Sequence, residues 1–367
     1  MSKPHVVVVA CGGTIASEPD SAGAAPAKSG SDLIDAVPTV EEYAMISTRE
    51  VCRQPGFDIR WRDVFATAAT VRDAVTGGAD GVVITHGTDT LADTAFALDL
   101  LTDLDAPIVV TGAQRRLDEV SSDVGANLTL AVRIAADRRF SSGVHVAFDD
   151  EVHAARDVVK THTNALSTFA SPGIGPVATA TRAETRVIRS PSRGTSVDPL
   201  AFDAITMDAR VHEGNDADEG NEGDEGNEGD DGHESATTPV SVPSIPTVPV
   251  IHSGTGVDAA GIEAAMAHDV SGLVVEGTGL GNVTAALGDA IAEVIESVPV
   301  VVTSRTHAGP TEPVYGTPGG GVTLEQHGVV FAHDLPTSKA RVALALGAAA
   351  GLDRATLATL LQPTEPV

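Results

Sequence analysis

The sequence predicts an α/β protein with a larger N-terminal domain, built on a mainly parallel sheet flanked by helices, and a smaller α/β C-terminal domain. Three observations predict it. Short apolar runs alternate with apolar residues at helical spacing along most of the chain. Those runs carry little polar alternation, as expected of strands covered on both faces. A long compositional break at residues 182–249 then separates two stretches of the same pattern.

The elements follow in order. Residues 5–10 (His-Val-Val-Val-Val-Ala) form a first strand that ends in Cys11-Gly12-Gly13-Thr14. Residues 17–31 mix Glu, Pro, Asp, Ala, Gly, Ser and Lys without periodicity, which predicts a mobile loop. Residues 81–85 form a second strand, ending in His86-Gly87-Thr88-Asp89-Thr90. Leu91, Thr94, Ala95, Leu98 and Leu101 then repeat at helical spacing, as do Val124, Leu128, Ala131 and Ala135. Strands are predicted at 107–111 and 144–147. After the break they resume at 248–251, 272–276 and 300–303, and a helix at 337–349 follows. Pro299 suits the start of the last strand, where a missing N–H is tolerated. Domain boundaries follow: an N-terminal catalytic domain over 1–190, a linker over 191–247 with an acidic insertion at 213–234, and a C-terminal domain over 248–367. Aromatic residues make up only 3%, so the core must be built of Val, Ala, Leu and Ile.

Charge excludes several classes of partner. The 51 acidic residues outnumber 23 basic ones, for a net charge of −28. Such a field repels nucleic acid phosphates and anionic membranes. The run at 213–234 holds 11 of those acids and no basic residue, so most of the acidic charge lies elsewhere. With only four lysines (Lys3, Lys28, Lys160 and Lys339), the composition points to a salt-rich cytoplasm, that of a halophile. Within the run Asp-Glu-Gly-Asn-Glu-Gly-Asp occurs twice, at 218–224 and 224–230. Its spacing does not fit a calcium-binding loop, which leaves a disordered, solvated insertion. Cys11 and Cys52 lack metal-ligand spacing and suit a reduced compartment. The apolar stretch before Cys11 is shorter than the core of a secretion signal, and no run spans a bilayer, so a cytoplasmic location is expected.

The chemistry gathers at two strand ends. In an open parallel sheet, ligands bind beyond the carboxyl ends of the strands. Gly12 and Gly13 turn the chain sharply there and deliver Thr14 to the rim. Gly87 does the same for Thr88 and Asp89, and leaves backbone N–H groups accessible as oxyanion donors. Spacing alone declares no base for these hydroxyls. Thr88 and Asp89 also suit the cap of the helix beginning near Leu91. His86 reads as structural.

These motifs resemble the L-asparaginase/glutaminase family of bacteria and archaea. Cys11-Gly12-Gly13-Thr14-Ile15-Ala16 is similar to that family's first signature, usually Thr-Gly-Gly-Thr-Ile-Ala. Residues 83–91 (Val-Ile-Thr-His-Gly-Thr-Asp-Thr-Leu) are similar to its second. Further blocks in matching order are 111–115, 155–161, 276–282 (Glu-Gly-Thr-Gly-Leu-Gly-Asn) and 335–341, so the resemblance spans nearly the whole chain outside the acidic run. It implies hydrolysis of the side-chain amide of L-asparagine through a threonine nucleophile and an acyl-enzyme, without cofactor or metal. Thr14 would be the nucleophile, with Thr88, Asp89 and Lys160 as the second catalytic group. Lys160 would act as base if burial keeps a fraction of it neutral, against the pull of Asp89. Asp89 would also pair with the substrate's α-ammonium. Gly87, Thr88 and Asp89 would line the substrate pocket, Ala113 would lie near the leaving amide, and Asn282 would reach the pocket from a neighbouring subunit. The family pairs protomers in this way, which implies a homo-oligomer, a dimer or tetramer.

Two departures from the family pattern stand out. The family commonly places a tyrosine on the loop after the first signature, whereas the only tyrosines here are Tyr43 and Tyr315. It often grips the substrate carboxylate with a serine hydroxyl near residues 55–58, where Gly56 offers no side chain. Other readings compete. Gly277-Thr278-Gly279-Leu280-Gly281 follows a strand, but its G-x-G-x-G spacing and the lack of a ribose-binding acid after 300–303 oppose a dehydrogenase. A hydrolase using an N-terminal threonine would require cleavage before Thr14, destroying the first strand. The asparaginase-like component of a tRNA-dependent amidotransferase carries an extra N-terminal module, and the negative charge opposes tRNA. A catalytically inactive binding relative would not need Thr14, Thr88, Asp89 and Lys160.

Overall fold

The computed structural model describes residues 2–20, 23–190 and 243–362. The acidic run at 213–234 lies outside them. In chain order the strands are β1 (His5–Gly12), β2 (Ser17–Asp20), β3 (Gly23–Pro26), β4 (Met45–Gln54), β5 (Gly81–Thr85), β6 (Ile108–Thr111), β7 (Val144–Phe148), β8 (Glu151–Ala154), β9 (Val159–Lys160), β10 (Phe169–Ala170), β11 (Ala178–Ala180), β12 (Thr185–Val187), β13 (Val250–His252), β14 (Leu273–Gly277), β15 (Val300–Ser304) and β16 (Val330–Phe331). The helices are α1 (Gly30–Ala36), α2 (Trp61–Thr76), α3 (Leu91–Leu101), α4 (Val124–Ala135), α5 (Ala260–Met266), α6 (Ala285–Val294), α7 (Gly321–Gln326), α8 (Thr337–Ala349) and α9 (Arg354–Leu361).

An eight-stranded sheet in the order β12-β11-β8-β7-β6-β5-β1-β4 forms the N-terminal part. Strands β4, β1, β5, β6 and β7 run parallel, while β8, β11 and β12 are antiparallel additions at one edge. Alternation along β1 sorts its side chains by face: Val7, Val9 and Cys11 pack with α2 and α3, whereas Val6 and Val8 pack with α1 and α4. The C-terminal sheet is four parallel strands, β13-β14-β15-β16. Helix α8 joins the two parts, because Leu344 and Leu346 belong to the same buried cluster as Phe96 and Leu98 of α3 and as Val274 and Val301 of the smaller sheet. The fold class is the one predicted.

Several predicted details change. Residues 17–20 and 23–26 are not an aperiodic loop: β2 and β3 pair antiparallel, and α1 follows, started by its Ser29–Asp32 capping box. Strand β13 starts at Val250 rather than 248, with Pro249 just before it lacking a ladder donor. Thr88 and Asp89 do not cap α3: the capping position is Thr90, and it makes no side-chain cap bond.

Candidate active site

Register places the carboxyl ends of four strands side by side. Ala10 of β1 aligns with Thr85 of β5, Thr85 with Thr111 of β6, and Gly12 with Gln54 of β4. The turns that leave these strands therefore meet. Gly13 sits at φ +84°, in the left-handed region, and a Cβ on it would lie 2.3 Å from the Gly87 backbone. A Cβ on Gly87 would in turn lie 2.4 Å from Gly56 Cα. Three turns thus touch backbone to backbone, and only glycine fits at the contact.

This contact sets the geometry of the neighbouring side chains. Thr14, Gly87, Thr88 and Asp89 line one cavity of about 230 Å³, together with Gln114 and Arg116. Thr88 is buried and Thr14 half-buried. Lys160 sits on β9, held by pairing with Phe169 of β10. Its ammonium donates to Thr88 Oγ1 at 2.9 Å and to Asp89 Oδ1 at 2.8 Å. Lys160 itself lines a second, wider cleft of about 750 Å³ between the β9 segment and the C-terminal part, while its partners Thr88 and Asp89 line the first. A hydroxyl from the first strand tip thus shares a small cavity with a second hydroxyl and an acid, both of which are hydrogen-bonded to the Lys160 ammonium.

Two predicted residues lie elsewhere within the chain. Ala113 is completely buried and does not line the cavity, although its neighbour Gln114 does. Asn282 is in the C-terminal part, where its side-chain oxygen accepts from Gly321 N–H at 3.1 Å. His86 is buried, and burial lowers its pKa, so the ring is neutral near pH 7. It contacts the Gly87 carbonyl through Nδ1 at 2.7 Å, fixing the turn rather than reaching the cavity. Neither tyrosine lines the cavity: Tyr43 packs under Arg133, and Tyr315 is exposed in the C-terminal part.

Other residues were not legible as part of the site. Lys339 of α8 is fully buried and donates to the carbonyls of Ala155 (2.7 Å), Arg156 (2.9 Å) and Val158. Those carbonyls belong to the segment leading into Lys160, so the C-terminal part grips the strand that carries the amine. Burial pushes the Lys339 pKa down to about 7. The loop after β6 is fixed by Asp123, whose carboxylate accepts from the backbone N–H groups of Gln114 and Arg115 at 3.0 and 2.9 Å. The scarcity of lysine and the 335–341 block marked Lys339 without giving it a role; nothing marked Arg116.

Comparison with known proteins gives matches to both parts of the chain. The family profile described as "Asparaginase, N-terminal" matches residues 5–193, and "Glutaminase/Asparaginase C-terminal domain" matches residues 247–361. A probable periplasmic L-asparaginase of Haemophilus influenzae is 32% identical over 94% of this chain and 88% of its own length. One component of the glutamyl-tRNA(Gln) amidotransferase of Halobacterium salinarum is 31% identical over 93% of this chain and 74% of its own. The crystal structure of a probable cytoplasmic L-asparaginase from Campylobacter jejuni superposes with a TM-score of 0.77 at 27% identity, covering 99% of this chain and 100% of that one. Fold, strand-tip cavity and these matches define an α/β amidohydrolase. The chain belongs to the asparaginase family. The matches lend no support to a salt-adapted source, which rests on charge alone. Among the described residues no helix is long and apolar enough to cross a membrane.

Proposed function

We propose that the protein hydrolyses the side-chain amide of L-asparagine to L-aspartate and ammonia, with Thr14 as nucleophile. The observation that carries this reading is that Thr14 shares a cavity of about 230 Å³ with Thr88 and Asp89, both hydrogen-bonded to the Lys160 ammonium. Thr14 Oγ attacks the amide carbon, and its proton passes through the Thr88–Lys160 pair to the departing nitrogen, which leaves as ammonia. Water then adds to the acyl carbon, and its second proton restores the Thr14 hydroxyl. Backbone N–H groups at the Gly87 turn suit the transient oxyanion. Asp89, with a side chain 53% exposed, is accessible to a substrate ammonium as well as to Lys160. The reaction asks for no cofactor. We place the enzyme in the cytoplasm as a homo-oligomer, a dimer or tetramer.

Ammonia release from L-asparagine and L-glutamine by the wild type and Thr14→Ala tests the reading. Release from asparagine that disappears in Thr14→Ala is expected. Failure of the wild type to release ammonia from either amino acid would overturn it. Release that appears only when tRNA and a partner protein are added would assign the chain to the amidotransferase class instead.

A further inference from the structure

We propose that Arg116 anchors the α-carboxylate of the substrate and so selects amino acids over simple amides. The inference rests on the asparagine reading above. An amino-acid substrate brings three polar groups into the cavity: the amide, an ammonium and a carboxylate. The hydroxyls serve the first and Asp89 the second. A carboxylate taken from water needs a cation or several hydrogen bonds in return.

Among the described residues lining the cavity, Arg116 is the only basic one. The neighbouring turn offers no substitute. Gly56 has no side chain, and a Cβ there would lie 2.8 Å from the Gly87 carbonyl carbon, so a hydroxyl-bearing residue does not fit this backbone. Phe57, next along, presents an exposed ring. Backbone N–H groups of that turn can donate but carry no charge.

Arg116 is also held in place. Its backbone N–H donates to Glu119 Oε2 at 2.7 Å, and Asp123 fixes the two residues before it. Its guanidinium forks onto Asp118, Nε to Oδ1 at 3.0 Å and Nη2 to Oδ2 at 3.3 Å. Asp118 is half exposed, while the arginine side chain is only 22% exposed. An arginine presents its donors in a plane that matches any carboxylate. Asp118 does not line the cavity, so it orients the guanidinium from outside through Nε and Nη2, and a substrate carboxylate takes up the remaining donors of Arg116 from within. Sequence-based reading overlooks such a residue, because Arg-Leu-Asp-Glu looks like an ordinary solvated cluster.

Steady-state kinetics of the wild type, Arg116→Gln and Asp118→Asn on L-asparagine and on β-alaninamide, which is asparagine without its carboxylate, test the assignment. Arg116→Gln is expected to raise KM for asparagine by about 10- to 100-fold with kcat within about threefold. Its kcat/KM for β-alaninamide should stay at the wild-type value. Asp118→Asn should leave KM for asparagine unchanged or lower it. Equal losses on both substrates would mean that Arg116 only shapes the loop, and an unchanged KM for asparagine would also overturn the anchor. A wild type inactive on asparagine would defeat the asparaginase reading instead. Calorimetric binding of L-aspartate to the same variants then decides the anchor: unweakened binding to Arg116→Gln rejects it, and binding weakened about tenfold or more supports it.

Discussion

Both sheets end in glycine-rich turns, yet only one of those turns makes a small reactive cavity. At the N-terminal rim, Gly13 and Gly87 leave different strands and meet each other and Gly56, so three backbones touch. At the C-terminal rim, the turn after β14 folds on itself: Thr278 and Asn282 exchange backbone hydrogen bonds at 2.8 and 3.0 Å. What remains beside it is the wide cleft, walled by His252, Glu276 and Thr337, with Glu276 bonded to both others at 2.7 Å. A Gly-rich turn therefore gathers reactive side chains when it must fit a second such turn. One that satisfies itself leaves its surroundings open.

Adding one carbon should break this contrast most severely. Gly13→Ala and Gly87→Ala force a Cβ to within 2.3 and 2.4 Å of the facing backbone. We expect activity to fall by more than about 1000-fold and stability by about 3 kcal/mol or more. Gly279→Ala, in the self-contained turn at φ +54° with nothing within 4 Å, should cost about 1 kcal/mol and leave turnover intact. Ammonia release with denaturant melts measures both. Comparable losses at Gly13 and Gly279 would show that the meeting of turns is not what matters.

The next effect separates the small cavity from the wide cleft that Lys160 lines. Lys160→Met and Thr88→Val remove the 2.9 Å bond and should lower kcat by about 100- to 10,000-fold with the fold retained. Glu276→Gln, which alters only the wide cleft, should change kcat by less than about tenfold. A loss at Glu276 as large as that at Lys160 would move the chemistry into the cleft.

How far the sequence foretold this layout depended on burial. Strand 81–85 and helix 337–349 match their predicted ends because each apolar run is bounded by a turn signal: His86-Gly87 for one, Leu335-Pro336 for the other. Strand β4 was missed, since Met-Ile-Ser-Thr-Arg-Glu-Val-Cys-Arg-Gln sits at a sheet edge and keeps mostly exposed or half-buried side chains, so no apolar run marks it. Strands β8 to β12, of two to four residues, are too short for a period to register. At the site, the glycine turns made Thr14 and Thr88 visible. The Lys160–Thr88 bond joins residues 72 apart in sequence, and only the family resemblance pointed to it. Arg116 carried no period, no glycine and no motif.

The last expected effect, on stability more than on turnover, tests how the two parts are joined. Lys339 reaches from α8 to three carbonyls before Lys160, so Lys339→Met leaves those acceptors buried without their donor, at a cost of about 3 kcal/mol in stability. Turnover should fall less than in Lys160→Met, because the chemical groups remain. Stability against pH distinguishes this role from simple packing. The Lys339 pKa is about 7 in the folded chain, against about 10.4 for an unfolded lysine, so between these values the unfolded chain binds the extra proton. Stability from this group therefore rises with pH from about 7 to about 10.4, and Lys339→Met should flatten that rise. The N-terminal part has its own window. His145 and His153, lowered to about 4 by burial, make stability rise between about 4 and 6.5 and fall away as pH drops through that range. Lys339→Met should leave this acid limb unchanged. Denaturant melts across both windows check the pair, and an alkaline rise that survives Lys339→Met would place the titrating group elsewhere in the molecule.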